Sequence, residues 1–81
     1  MLKISIEYCR PWSYTDRAVG LVTELLGDKE LEAQIEAINL IPSSGGRYEI
    51  TVNGDLVFSK KALKRHAEPG EVYKLVKAKS S

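Results

Sequence analysis

The hydrophobic pattern of the chain changes its period at Cys9, and this change restricts the folds that the chain can adopt. Before it, apolar and polar residues alternate over residues 2–8, as in a strand with one buried face. After it, apolar residues recur at helical spacing, namely Tyr14, Ala18, Leu21, Val22 and Leu25. The chain therefore begins as a strand followed by a helix. The next strand is expected to lie parallel to the first, through a right-handed crossover.

The first helix carries signals for both of its ends. Ser13 is a suitable N-cap, and Asp16 places a carboxylate in the first turn. We expect the helix to continue to Leu26 and to end with Gly27 as a C′ glycine. Gly20 lies in the helix interior, where it would permit close packing on the sheet.

The second strand is predicted over residues 34–41, running into Pro42. Leu31, Ile35 and Ile38 also fit a helical spacing, so a helical interpretation of this stretch stays open. The Ser-Ser-Gly-Gly sequence of residues 43–46 indicates a turn or loop.

The second half of the chain is predicted to contain a hairpin and a last helix. Residues 48–52 alternate, Asn53-Gly54 is a strong signal for a tight hairpin turn, and residues 56–58 return as the fourth strand. Residues 60–66 form a basic connection. Pro69 is expected in the first turn of the last helix, whose apolar face carries Val72, Leu75 and Val76.

The predicted order is β-α-β-β-β-α in a single domain of residues 1–81. This is an α/β (α+β) fold with a four-stranded mixed sheet, either two-layered or sandwiched, and we expect one helix on each face. It is the minimal thioredoxin-like arrangement.

Composition excludes several functional classes. The net charge of +1 argues against an electrostatic binder of nucleic acid, and no apolar run approaches the length of a membrane span. The first four residues do not resemble a signal peptide, and a single cysteine cannot form an internal disulfide, so a cytoplasmic location is expected. His66 is the only histidine, which excludes a histidine-based metal cluster.

Cys9 is the candidate catalytic residue. At a strand-to-helix junction, unpaired backbone N–H groups and the helix dipole would stabilise its thiolate, and Arg10 would add to this. The alternative is a small buried apolar residue, because free cysteines are among the most buried residue types. Trp12 presents an aromatic anchor to a partner or packs against the helix.

Two blocks, residues 4–11 and residues 46–61, together resemble the selenoprotein W, T and H (Rdx) family of small thioredoxin-like proteins. The resemblance implies a thioredoxin-like fold and a Cys-x-x-Cys, or Cys-x-x-selenocysteine, in the first loop. Cys9 matches the first position of that motif, and Trp12 replaces the second. Residues 64–67, Lys-Arg-His-Ala, also depart from the Gly-Arg-Phe-Pro that the family tends to have. The residues expected to flank the site are Tyr8, Arg10, Pro11, Trp12, Ser13, Gly45 and Gly46.

The family implies thiol redox chemistry, often through glutathione, and contact with partner proteins. The leading hypothesis is therefore a redox protein that acts through Cys9 alone, with glutathione or another small thiol as co-substrate and no bound cofactor or metal. The alternative is an interaction module that kept the fold and lost the dithiol, with Trp12, Lys60 and Lys61 as partner-binding residues. A third possibility is a Cys9–Cys9 disulfide that joins two copies under oxidation. We expect a monomer or weak dimer, no nucleic acid and no membrane.

Overall fold

The computed structural model describes residues 1–12 and 14–80, without the side chain of Trp12. Its strands are β1 (Leu2–Cys9), β2 (Ile35–Ser43), β3 (Tyr48–Val52) and β4 (Asp55–Ser59). Its helices are α1 (Tyr14–Gly27), α2 (Lys29–Glu32), α3 (Lys60–Leu63) and α4 (Glu71–Lys77), and a 3-10 turn spans Arg10–Trp12. The predicted order is confirmed, with α2 and α3 as additional short helices.

The four strands form one mixed sheet in the order β2-β1-β3-β4. Strand β1 pairs in parallel with β2 and antiparallel with β3, and β3 pairs antiparallel with β4. The β3–β4 turn has positive φ at both Asn53 (52°) and Gly54 (87°). This backbone is typical of the two-residue hairpin turn that the Asn-Gly signal predicts.

The core lies on one face of the sheet, so the fold has two layers. Alternate residues of β1 and β3 are buried and enter one cluster with residues of α1 and α4, which contact each other. The prediction of one helix on each face is therefore wrong. The intervening residues of the two strands, such as Lys3, Ser5 and Thr51, are polar, and they leave the opposite face more accessible. The principal buried apolar side chains are Ile4, Ile6, Leu25, Ile50, Val52, Phe58 and Val76.

The end of α1 differs from the prediction. Gly27 is the last helical residue and does not have the positive φ of a C′ glycine. The chain is redirected by Asp28, whose side chain caps α2 by accepting a hydrogen bond from the Leu31 N–H at 3.1 Å. Gly20 faces solvent, and no atom lies within 4 Å of the place where its Cβ would stand, so it does not serve close packing on the sheet.

The second strand extends past Pro42 to Ser43, two residues beyond the predicted end. Strand β2 is at the edge of the sheet, where a proline that lacks an N–H need not break the ladder. The helical interpretation of this region holds only for α2, which contains Leu31.

The C-terminal part contains two further differences. The predicted basic connection begins with α3, which Ser59 caps by accepting the Ala62 N–H at 3.1 Å. Pro69 precedes α4 and does not lie in its first turn, because Gly70 is the N-cap, with φ of 78°. Val72 and Val76 are buried and Leu75 is partly buried, as predicted for the apolar face of this helix.

Candidate functional site

Cys9 is the last residue of β1, an interior strand of the sheet. Its N–H donates a hydrogen bond to the Arg47 carbonyl at 2.8 Å, and in the parallel register it is the partner of Ser43. The residue has 0% exposed surface, and its thiol is free. The alternation of β1 stops here, because Tyr8 and Cys9 are consecutive and both buried. The only thiol of the chain is therefore placed at the strand-to-helix junction but out of contact with solvent.

The loop of residues 44–47 crosses the end of β1 just beyond Cys9. It joins β2 to β3, which lie on opposite sides of β1, so it spans two strand spacings, about 10 Å. Gly45 and Gly46 have φ of 77° and 74°, a conformation that other residues adopt only with strain. We call residues 44–47 the crossing loop. The structure thus brings the predicted flanking pair Gly45 and Gly46 to the candidate cysteine.

The Arg10–Trp12 turn forms the other neighbour of Cys9. Arg10 and Pro11 are exposed, whereas Tyr8 is buried within the core. The predicted N-cap Ser13 lies outside the described residues, as does the side chain of Trp12, so their assigned roles stay predictions. Lys61 is exposed, and within the described part of the chain it forms no ion pair.

A cluster of aromatic and basic side chains lies at the same end of the sheet. Strands β1 and β4 run in the same direction, so Lys60, which follows β4, is brought to the end that holds Cys9. Its Nζ is 5.7 Å from the centre of the Tyr14 ring. Edge-to-face contacts join Tyr14 to the rings of His66, at 5.2 Å, and Tyr48, at 6.3 Å. Tyr48 directly follows Arg47, the residue that accepts the Cys9 N–H.

His66 and Arg17 are residues of this region that the sequence analysis did not select. Partial desolvation of the His66 ring lowers its pKa, and the positive charges of Arg17 and Lys60 lower the pKa further. The ring is therefore mostly neutral at pH 7 and can still donate a hydrogen bond. Arg17 follows Tyr14 by three residues on α1, which places it on the same helix face. Arg17-Ala18 also belongs to the residues that resemble the family, but the placement of Arg17 beside the same cleft as Arg65 and His66 depends on tertiary structure.

Comparison with known proteins identifies the family of this chain. The model of the Rdx family matches residues 3–78. The chain belongs to the Rdx family. A search among curated proteins finds no match.

Two solved structures share this Rdx fold over nearly their whole length. The selenoprotein W-related protein from Vibrio cholerae is 31% identical, with a TM-score of 0.82, over 95% of this chain and 94% of that one. A protein from Bordetella parapertussis is 25% identical, also with a TM-score of 0.82, over 95% of each chain. The predicted thioredoxin-like, selenoprotein W-like fold is thus confirmed for this Rdx protein.

Among residues 1–12 and 14–80, no three His, Cys, Asp or Glu side chains are grouped to hold a metal ion. No helix in the same residues has the length and apolar character needed to cross a membrane.

Proposed function

We propose that this Rdx protein is a thiol redox protein that acts through Cys9 alone, by forming a mixed disulfide with glutathione or with a protein thiol. The observation that carries the proposal is the position of Cys9 at the carboxyl end of β1, directly before the turn that leads into α1. We expect the protein to act in a reducing compartment such as the cytoplasm, where glutathione and thioredoxin keep thiols reduced.

The chemistry needs two exchange steps. The Cys9 thiolate attacks a disulfide RSSR, a bond forms between Cys9 Sγ and one sulfur, and the other sulfur leaves as RS⁻. A second thiolate, R′S⁻, then attacks the RS sulfur of the mixed disulfide. Cys9 is released as thiolate, and the bound RS group leaves as the disulfide RSSR′. The second thiol must be external because the chain has only one cysteine.

The burial of Cys9 adds an opening step before the first exchange. A disulfide must reach Sγ, and no part of Cys9 is exposed. The segments that adjoin Cys9 are the crossing loop and the Arg10–Trp12 turn. Both are short, and neither is part of an α-helix or a strand. We expect one of these to open while the sheet stays folded.

The test is the reaction of Cys9 with glutathione disulfide, followed by intact mass at increasing urea below the unfolding transition. Local opening predicts a stoichiometric adduct that dithiothreitol reverses, formed at a rate that depends weakly on urea. The Cys9→Ser variant is the control and should gain no mass. A rate that rises steeply with urea, as global unfolding does, would overturn the proposal.

The interaction module remains the second candidate, and the complete burial of Cys9 favours it. Exposed groups surround the site, among them Arg10, Pro11 and Lys61. In that case Cys9→Ser leaves capture of a partner unchanged while Trp12→Ala weakens it. Loss of capture in the serine variant alone would contradict this candidate. Peroxide treatment and non-reducing electrophoresis test the third possibility, a Cys9–Cys9 dimer.

A further inference from the structure

A cleft of about 580 Å³ separates α1 from the segment that leads into α4. One wall is a stripe of α1 formed by Arg17, Leu21 and Glu24, residues spaced so that they share one helix face. The opposite wall consists of residues 65–70 and Val72. The cleft therefore has an apolar middle between a basic residue and an acidic one.

The two ends of the cleft carry opposite charge. At one end Arg17 lies close enough to His66 to affect its titration, and both residues line the cleft together with Tyr48. At the other end Glu24 faces Gly70, since its Oε2 is 4.0 Å from the position that a Gly70 Cβ would take. The α1 wall thus runs from a basic end at Arg17 to an acidic end at Glu24, and the opposite wall, which also contains Glu68, places His66 and Gly70 across from these ends.

The charged groups at these two ends, those of Arg17 and Glu24, have no charged partner among the described residues. Within the described residues, neither the Arg17 guanidinium nor the Glu24 carboxylate takes part in an ion pair or side-chain hydrogen bond. Arg65, which also lines the cleft, differs, because two 2.7 Å hydrogen bonds join its guanidinium to the Glu71 carboxylate. Arg17 and Glu24 are therefore available to a ligand, and Arg65 is not.

The spacing of these charges selects a class of ligand. Arg17 and Glu24 are seven residues apart on α1, a separation of about 10 Å along the helix. An extended tripeptide spans about the same length from its amino group to its carboxylate. We propose that the cleft binds a short zwitterionic peptide of about three residues, with its α-carboxylate at Arg17 and His66 and its α-ammonium at Glu24.

The middle of the cleft suits such a ligand. Leu21, Ala67 and Val72 offer apolar contact to small side chains between the two charged ends. Because both charged groups of the protein are solvent-exposed, each ion pair contributes little, and we expect a dissociation constant on the order of 1 mM. The site requires no thiol, so it goes beyond the redox function proposed for Cys9 and can be tested separately.

The experiment is a titration of the ¹⁵N-labelled protein with trialanine, in which binding is measured from the changes in amide chemical shift. The proposal predicts saturable shifts at residues 17–24 and 66–70. Trialanine that is acetylated at its amino end, or amidated at its carboxyl end, should bind at least fivefold more weakly. Equal binding of the blocked peptides would overturn the proposal, as would stronger binding of tetraglutamate, which would indicate a site for acidic segments in general.

Matched variants locate the two charges. Arg17→Gln and Glu24→Gln should each weaken trialanine binding at least fivefold, whereas Lys74→Gln and Glu30→Gln, which remove exposed charges outside the cleft, should not. All four positions are exposed, so these variants are expected to fold. Unchanged affinity in the first pair would overturn the assignment.

The single histidine supplies an independent readout. A carboxylate bound beside His66 would favour its protonated form, so trialanine should raise the pKa of His66, followed by the ring proton resonances. No change in this pKa at saturating trialanine would contradict the proposed orientation of the peptide.

Discussion

Cys9 combines a position suited to thiol chemistry with the absence of any exposed surface. Its observed reactivity should therefore equal the intrinsic reactivity of the thiol multiplied by the fraction of time that the site is open. We expect the crossing loop to control that fraction, because it passes over the end of β1 and contains two consecutive residues with positive φ, Gly45 and Gly46. The redox function proposed for this residue would therefore depend on the conformational stability of its neighbours.

Gly46→Ala tests this dependence. At φ of 74° an alanine is strained by about 1–2 kcal/mol, although no atom lies near the position of its Cβ. We expect a less stable crossing loop and an alkylation rate of Cys9 that rises about fivefold or more, measured with iodoacetamide under native conditions. Gly27→Ala is the control, since Gly27 has no positive φ. An unchanged rate in Gly46→Ala would mean that the crossing loop does not limit access.

Helix α1 connects the core, the candidate site and the cleft. Its buried residues, among them Ala18 and Leu25, pack on the sheet, while Arg17 and Glu24 face the cleft. The packing of one face stabilises this helix, so its exposed positions can be changed with small effect. Gly20 is such a position.

Gly20→Ala is expected to stabilise the protein. Glycine in a helix interior is unfavourable by about 1 kcal/mol relative to alanine, and the added Cβ at this site meets no other atom. Urea unfolding should show a free energy of unfolding higher by about 0.5–1 kcal/mol with an unchanged slope. A loss of stability would show that the helix has less room than the structure indicates.

At the scale of the whole molecule, carboxylates link the C-terminal helix to the rest of the fold. Asp28 accepts hydrogen bonds from Tyr73 and, at 2.8 Å, from Lys77, and these bonds from α4 hold its pKa well below its usual range. The hydrogen bonds from Arg65 lower the pKa of Glu71 to about 2. Both carboxylates are only partly exposed, and their effect is best followed through the pH dependence of stability.

Stability should fall in two stages on acidification. Asp28 and Glu71 have lower pKa values in the folded protein than in the unfolded chain, so their contribution is complete above about pH 5 and is lost as the pH falls from about 4 toward 2. The pKa of His66 is also lower in the folded state, so a shallower loss should begin below about pH 6.5. Thermal melts between pH 2 and 8 measure both stages.

Asp28→Asn isolates one of these groups, because asparagine keeps the N-cap of α2 but removes the charge. The variant should have a lower Tm at pH 7, and the difference from the wild-type protein should shrink toward pH 2. Asp55→Asn is the matched control, since its ion pair with Lys79 is long, at 3.7 Å, and exposed. A pH-independent difference for Asp28→Asn would contradict the charge-based explanation.

The sequence determined the type of each long element, because burial of one face imposes period 2 on residues 2–8 and period 3.6 on α1. It also determined the hairpin, since Asn53 and Gly54 readily adopt the positive φ that the turn requires. Even the family could be inferred from two short blocks. The errors at Gly27, Pro42 and Pro69 arose at element ends, where local signals such as glycine and proline fit more than one geometry.

Only the tertiary structure decided which side of the sheet the helices cover and what lies beside Cys9. Local periodicity states that a face is buried but not which element buries it, so α1 and α4 could not be assigned to the same face in advance. The crossing loop lies over Cys9 because β1 is inserted between β2 and β3, a non-local arrangement. For the same reason the placement of Arg17 and His66, 49 residues apart in the sequence, along one cleft is a product of the fold.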